Sequence, residues 1–164
     1  MLYYQIIQSP CGEVIVVTNE HGIVEVAFQQ GAAAVKLTAD YQLANDDAPK
    51  HLANAVQQLD EYFQGKRRLF DLPLAQAGTA FQQKVWHALT KIQFGATYSY
   101  GQLADAIANP KAVRAVGSAN GNNKIAIIVP CHRVIGSNKK LTGYAGGIGI
   151  KAQLLMHEGA DFKP

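Results

Sequence analysis

The apolar positions of this chain change their period about halfway along it. Tyr3–Gln8, Glu13–Thr18 and Ile23–Phe28 are short runs rich in aromatic and β-branched side chains. Ser9-Pro10-Cys11-Gly12 and Asn19-Glu20-His21-Gly22 separate them, and such clusters make turns, so these runs predict a strand meander. Leu52, Val56, Leu59 and Phe63 then fall at helical spacing and predict a helix over 48–63, closed by Gly65-Lys66-Arg67-Arg68. Residues 69–78 carry no periodic signal and read as a linker. From Thr79 onward the period is helical and the helix starts are explicit. Thr79-x-x-Gln82 and Ser99-x-x-Gln102 both match the capping box, in which a hydroxyl and an amide satisfy orphan backbone donors. Phe81, Val85, Leu89 and Ile92 follow the first box as one stripe, and Leu103 and Ile107 follow the second. Asn109-Pro110 stops that helix and starts another, with Asn109 as cap and Pro110 at the first helical position.

Two helices joined by a tight turn make a helix-turn-helix candidate. On the second of them Lys111, Arg114 and Ser118 share a face. Ala112, Ala115, Gly117 and Ala119 keep that helix slim, which suits close approach to a phosphate strand or tight packing on a neighbouring helix. Ile125–Val129 is a continuous apolar run and predicts a buried strand, which Pro130 ends because it cannot donate to a ladder. Ile150, Leu154 and Leu155 mark a last helix that Gly159 terminates. Glu158 then sits at the negative end of a helix dipole, a local violation of the kind that gathers at functional sites. An exposed glutamate fits that position equally well. The pattern as a whole predicts an α+β protein divided near residue 78, with an N-terminal α/β domain plus linker over 1–78 and a second domain over 79–164.

Charge sharpens that division. Residues 1–78 hold five Lys/Arg against nine Asp/Glu, a net −4, whereas residues 79–164 hold ten against three, a net +7. Such asymmetry points to a polyanionic partner for the second half, the alternative being a solvated basic face. No apolar run approaches the roughly 18 residues of a membrane span. The N-terminus has no basic region ahead of its apolar stretch, so no signal peptide is expected. Cys11 and Cys131 lie too far apart to form a disulfide framework, and a reducing cytoplasm fits them best. Cys11, within a turn, reads as structural.

Cys131 stands beside His132 where the apolar run meets a loop. Two readings compete: a small buried hydrophobe, the commonest fate of a free cysteine, or a nucleophile activated by a nearby base. Spacing alone leaves both open, because catalytic histidines are usually distant in sequence. The wider run is more specific. Pro130-Cys131-His132-Arg133-Val134, preceded by Asn109-Pro110-Lys111-Ala112-Val113-Arg114-Ala115-Val116-Gly117 and followed by Gly143-Tyr144-Ala145-Gly146-Gly147, resembles the O6-alkylguanine-DNA alkyltransferases. The resemblance runs from Thr79 to the C-terminus without a gap; over residues 1–78 it is one of general pattern only.

The resemblance implies a C-terminal winged helix-turn-helix-like domain that carries the active-site cysteine and binds duplex DNA in the minor groove. Minor-groove readout is degenerate, which suits a protein that must find a lesion in any sequence. It implies extrusion of O6-alkylguanine from the stack, with O4-alkylthymine as a further candidate, and SN2 transfer of the alkyl group to Cys131. The thioether product cannot leave, so each molecule acts once. By the same resemblance His132 takes the thiol proton through a water, Glu158 orients the imidazole, Tyr100 serves the departing guanine at N3, and Asn123 braces the active-site loop. Arg114 matches the arginine that fills the vacated stack, with Lys111, Ala115 and Ser118 beside it on the DNA. Tyr144, Ala145, Val134 and Lys151 match pocket positions; at Ala145 some relatives carry serine, and the backbone N–H is what acts there. No cofactor is implied, and the protein is expected to be a monomer. Some members bind structural zinc in the N-terminal half, but Cys11, His21 and His51 have no zinc-motif spacing, so no metal is expected.

Rival readings have a cost. Gly147-Ile148-Gly149-Ile150-Lys151-Ala152 fits a dinucleotide-binding pattern, yet too little chain follows it to complete a βαβ unit. A non-enzymatic lesion-binding relative lacks the cysteine that Cys131 supplies. A helix-turn-helix regulator that merely binds DNA would leave Cys131 structural.

Overall fold

A strand buried on both faces organises the first half of the chain. In a computed structural model, which describes residues 1–30 and 34–164, β1 (Leu2–Ser9), β2 (Gly12–Thr18), β3 (Ile23–Phe28) and β4 (Tyr41–Leu43) form one sheet in the order β3-β2-β1-β4. The three meander strands pair antiparallel, and β4 adds parallel to β1. Val14, Ile15, Val16 and Val17 are all buried, the continuous run expected of a strand covered on each side. Ile15, Val17 and Ala27 pack with Leu2, Tyr4, Val24, Val35 and Tyr41 on one face. Val14 and Val16 point the other way, by the alternation of a strand, toward α1 (Lys50–Phe63), which lays Leu52, Ala55, Leu59 and Tyr62 on the sheet. The short β4 escapes the sequence pattern because three residues are too few to show a period.

Residues 69–77 are tied down rather than loose. The Ile23 N–H donates to the Pro73 carbonyl at 2.8 Å and the Ala75 N–H to the Ile23 carbonyl at 2.8 Å. An edge strand offers unpaired backbone groups, and this segment satisfies some of them. Gly22 permits the approach, since a Cβ there would lie 2.6 Å from the Pro73 oxygen. The first compact unit accordingly spans Met1–Ala77 and the second Gly78–Pro164.

The second unit starts with α2 (Ala80–Leu89), followed by β5 (Tyr98–Ser99), α3 (Tyr100–Ala106), α4 (Val113–Gly121), β6 (Val134–Ile135) and α5 (Ile148–His157). Both capping boxes form in full: Thr79 and Ser99 each accept from the N3 backbone while Gln82 and Gln102 reach back. Helices α2, α3 and α4 pack on one another, and Trp86 of α2 donates its indole N–H to the Ala119 carbonyl of α4 at 2.9 Å. β5 and β6 pair parallel, joining Tyr98 to Val134 and Ser99 to Ile135. No helix among the described residues is long and apolar enough to cross a membrane.

Two local expectations fail. Helix α4 begins at Val113, not at Pro110; Asn109 instead accepts the Ala112 N–H through its backbone carbonyl, and Lys111 lies in the turn before the helix. Residues 125–129 form a compact turn instead of a strand, although Ile125, Ile127, Ile128 and Val129 are as buried as the pattern requires. Apolarity reports burial, while Ile127 sits at φ 70°, which no strand accommodates.

Candidate active site

The turn over 125–129 is held by one side chain. Asn123, itself buried, donates its amide hydrogens to the carbonyls of Ile125 (3.2 Å) and Val129 (2.9 Å), and its Oδ1 accepts the Ile125 N–H at 3.2 Å. Local satisfaction of these backbone groups replaces the ladder that a strand would have supplied. It also holds Ile127 in a left-handed conformation that costs a β-branched residue on the order of 1–3 kcal/mol, strain of the sort found at functional sites. The chain leaves the turn at Pro130 and enters a single 3₁₀ turn, Cys131–Arg133.

That turn puts Cys131 and His132 inside the unit, 6% and 0% exposed. Burial pushes the thiol pKa up, and a hydrogen bond with Asn123 and the charge of Lys151 oppose the rise without cancelling it. Burial pushes the imidazole down, against the pull of Glu158. At neutral pH the pair is therefore a protonated thiol beside a neutral base.

Glu158 is where the sequence put it, capping the end of α5 ahead of Gly159 at φ 69°. It is buried and faces three donors. His132 Nε2 lies 2.8 Å from Oε2, Arg133 Nε donates to Oε1 at 2.7 Å, and Arg133 Nη2 donates to Oε2 at 3.0 Å. The remaining Arg133 donor, Nη1, reaches the Ile92 carbonyl at 2.6 Å. The bidentate fork offsets both the desolvation of the carboxylate and its unfavourable place on the helix dipole. Burial alone would raise the Glu158 carboxyl; the His132 hydrogen bond and the Arg133 pair outweigh it and hold the carboxyl at about 2, below the ordinary 4.5.

This geometry has a consequence for stability. A carboxyl whose native pKa is depressed stabilises the fold fully above its unfolded value, near pH 4.5, and loses that contribution as pH falls toward 2. The shift corresponds to about 3 kcal/mol. His132, lowered by burial, adds to the acid loss from below about pH 6.5, where the unfolded imidazole charges. Glu158→Gln should cost about 3–5 kcal/mol at pH 7 by stranding buried Arg133, and should flatten the dependence below pH 4.5. Urea unfolding of both proteins from pH 3 to 7 checks this; parallel pH profiles would show that Glu158 is not the titrating group.

A second polar cluster adjoins the first. Lys151, on α5 and fully buried, donates Nζ to the Val134 carbonyl at 2.6 Å and to Thr142 Oγ1 at 3.1 Å. Thr142 Oγ1 in turn lies 2.5 Å from the Tyr100 hydroxyl. Burial lowers the Lys151 pKa to about 8, and the Cys131 charge resists that fall. Tyr100, the first residue of α3, lies beside α4: a Cβ added at Gly117 would meet the Tyr100 ring at 3.6 Å.

The other sequence candidates fall into two groups. Arg114, Ala115 and Ser118 are exposed on α4 and Lys111 is exposed just before it, while Val116, Ala119 and Asn120 face inward. Tyr144, half-buried, and Ala145, exposed, lie in the segment between β6 and α5. Val134 is fully buried within β6, and only its carbonyl is seen to act, as the Lys151 acceptor. Sequence reasoning missed Arg133 and Thr142. Arg133 had a signal: an arginine in an apolar run must find a carboxylate, and residues 79–164 offer only Asp105, Glu158 and Asp161. Thr142, far from Tyr100 in sequence, had none.

Comparison with known proteins gives one consistent result. The model of the 6-O-methylguanine DNA methyltransferase ribonuclease-like domain matches residues 2–76, and that of the DNA binding domain of the same family matches residues 80–160. The constitutive methylated-DNA–protein-cysteine methyltransferase of Bacillus subtilis is 48% identical over 164 residues, covering 99% of each chain. That of Methanosarcina acetivorans is 47% identical over 159 residues, covering 97% of this chain and 99% of its own. The crystal structure of Mycobacterium tuberculosis OGT in complex with DNA superposes with a TM-score of 0.84 at 43% identity, over 96% of this chain and 92% of that one.

Proposed function

The chain belongs to the 6-O-methylguanine DNA methyltransferase family, and we propose that it repairs O6-alkylguanine in duplex DNA by moving the alkyl group onto its own Cys131. The activity is that of a methylated-DNA–protein-cysteine methyltransferase, with DNA as the partner of the C-terminal unit. The observation that carries the assignment to Cys131 is its place one residue ahead of His132, whose imidazole is held by a buried carboxylate at 2.8 Å.

Tautomer logic gives the imidazole a role. Glu158 is ionised and can only accept, so His132 donates from Nε2 and its lone pair resides on Nδ1. Nδ1 is buried and meets no protein partner among the described residues, so it is the atom left to take the thiol proton, through a water as the family resemblance implies. Arg133 pins the carboxylate and through it the ring. The Cys131 thiolate then attacks the alkyl carbon, the carbon–O6 bond breaks, and the electron pair stays with guanine, which takes a proton from Tyr100 at N3. A thioether is a poor leaving group, so one chain repairs one lesion.

The base must leave the stack first. Extrusion costs a few kcal/mol, less for a damaged base. In this reading Arg114 enters the gap from the minor groove, with Lys111, Ala115 and Ser118 along the backbone; its exposure on α4 among small side chains supports that role. Tyr144, Ala145 and Val134 bound the pocket that receives the base, which accepts O4-alkylthymine as a second substrate. The protein works as a monomer without a cofactor, in the cytoplasm, where a reduced thiol persists.

Intact-mass measurement after incubation with a duplex bearing O6-methylguanine tests the proposal. The expected result is one methyl group per chain, mapped to Cys131, with no further gain at excess DNA. Multiple turnovers per chain, or methyl on Cys11, would sink it.

A further inference from the structure

Thr142 stands outside the Cys131–His132–Glu158 cluster, yet its hydroxyl joins Tyr100 to Lys151. The Lys151 bond has one possible direction, whereas either hydroxyl can donate in the Tyr100–Thr142 bond. A Lys151 ammonium has hydrogens to give and no lone pair, so Thr142 must accept from it. A threonine hydroxyl has one hydrogen of its own, and the Tyr100 oxygen is 2.5 Å away. If Tyr100 donated to Thr142, the threonine hydrogen would lack this partner. If Thr142 donates to Tyr100, the threonine hydrogen is used and the phenolic hydrogen is left for another acceptor. The last residue in the chain is itself fixed, because Lys151 is anchored by the Val134 carbonyl at 2.6 Å.

We propose that Thr142 is a positioning residue, whose hydroxyl turns the phenolic hydrogen of Tyr100 toward N3 of the departing guanine. This rests on the role assigned to Tyr100 above. In the step itself the sulfur–carbon bond forms, the carbon–O6 bond breaks, and the proton of Tyr100 passes to N3. The imidazolium at His132 and the phenolate at Tyr100 balance, and solvent restores both. The phenolate keeps the Thr142 hydrogen bond and lies one hydroxyl from the Lys151 charge, so the contact strengthens as charge develops, as transition-state stabilisation requires. Lys151, with its pKa lowered to about 8, still carries its proton at neutral pH and keeps donating to Thr142.

Single-turnover transfer from a duplex bearing O6-methylguanine, measured for Thr142→Val, Thr142→Ser, Tyr100→Phe and the Thr142→Val/Tyr100→Phe pair, tests this. Thr142→Val keeps the shape and removes the hydroxyl; it should slow transfer about tenfold, part of the 10²–10⁴ that a positioned general acid supplies. Thr142→Ser restores the hydroxyl and should return to within about threefold of wild type. In the Tyr100→Phe background, Thr142→Val should slow transfer no further, because the hydroxyl it serves is gone. A Thr142→Val rate equal to wild type overturns the inference, as does a Thr142→Ser rate as low as that of Thr142→Val, or equal losses with and without the Tyr100 hydroxyl. A normal rate for Tyr100→Phe overturns the Tyr100 assignment beneath it. Melting temperatures of the four variants identify any that lose rate by unfolding.

Discussion

Cys131→Ala should abolish alkyl transfer and leave affinity for duplex DNA within about twofold, well under the 1.4 kcal/mol of a tenfold change. The two jobs are separable because they sit on different elements. Cys131 is buried in the 3₁₀ turn, whereas Arg114, Ala115 and Ser118 are exposed on α4. Losing the nucleophile removes the reaction path rather than slowing it, so transfer should fall by more than about 10⁴-fold, as when an activated nucleophile is deleted elsewhere. Methyl transfer assayed by mass and binding assayed by fluorescence anisotropy on the same duplex give the two numbers. Residual transfer to Cys11 would show a second acceptor; a parallel loss of binding would show that Cys131 holds up the fold of the DNA-binding unit.

Arg114→Ala should slow repair of duplex DNA by roughly ten- to a thousandfold and hardly change transfer from the free alkylated base. Arg114 is proposed to fill the hole left by the extruded nucleotide, so it matters only when there is a stack to disrupt. Cys131, His132 and Glu158 act on the alkyl carbon whatever the base is attached to. Losing the plug forfeits part of the few kcal/mol that offset extrusion, and each 1.4 kcal/mol is about tenfold in rate. A planar guanidinium can stack in the gap and bond the orphaned partner base together, so Arg114→Lys should recover little. Equal losses on duplex and free base would place Arg114 in the pocket or the fold, and the plugging role should then be abandoned.

Much of the architecture was legible in residue pattern. The strand meander, both capping boxes, and the end of α5 at Glu158 and Gly159 stand where local spacing put them, because each is written within a few residues of chain. The run over 125–129 was misread, since an apolar stretch says that residues are buried without saying whether their backbone pairs; Asn123 made the difference through three side-chain hydrogen bonds. The start of α4 was misplaced by three residues for a related reason. Asn109 and Pro110 are good helix starters, but Asn109 closes a turn with its carbonyl instead.

Residue order alone names the chemistry-bearing set: a cysteine and histidine side by side, a glutamate placed against the helix dipole, a basic second half, and a slim helix carrying one arginine. These are local or compositional facts, and the chain states them directly. Which of those groups meet is settled by packing. It brought Glu158 to His132 across 26 positions and locked it with Arg133. It also joined Tyr100 to Thr142 across 42. Packing of α5 against the 3₁₀ turn sets the first meeting; for Thr142 no local spacing foretells the contact. Burial and buried partners did the rest: exclusion from water keeps the thiol protonated and the imidazole neutral, and His132 and Arg133 keep the carboxyl ionised.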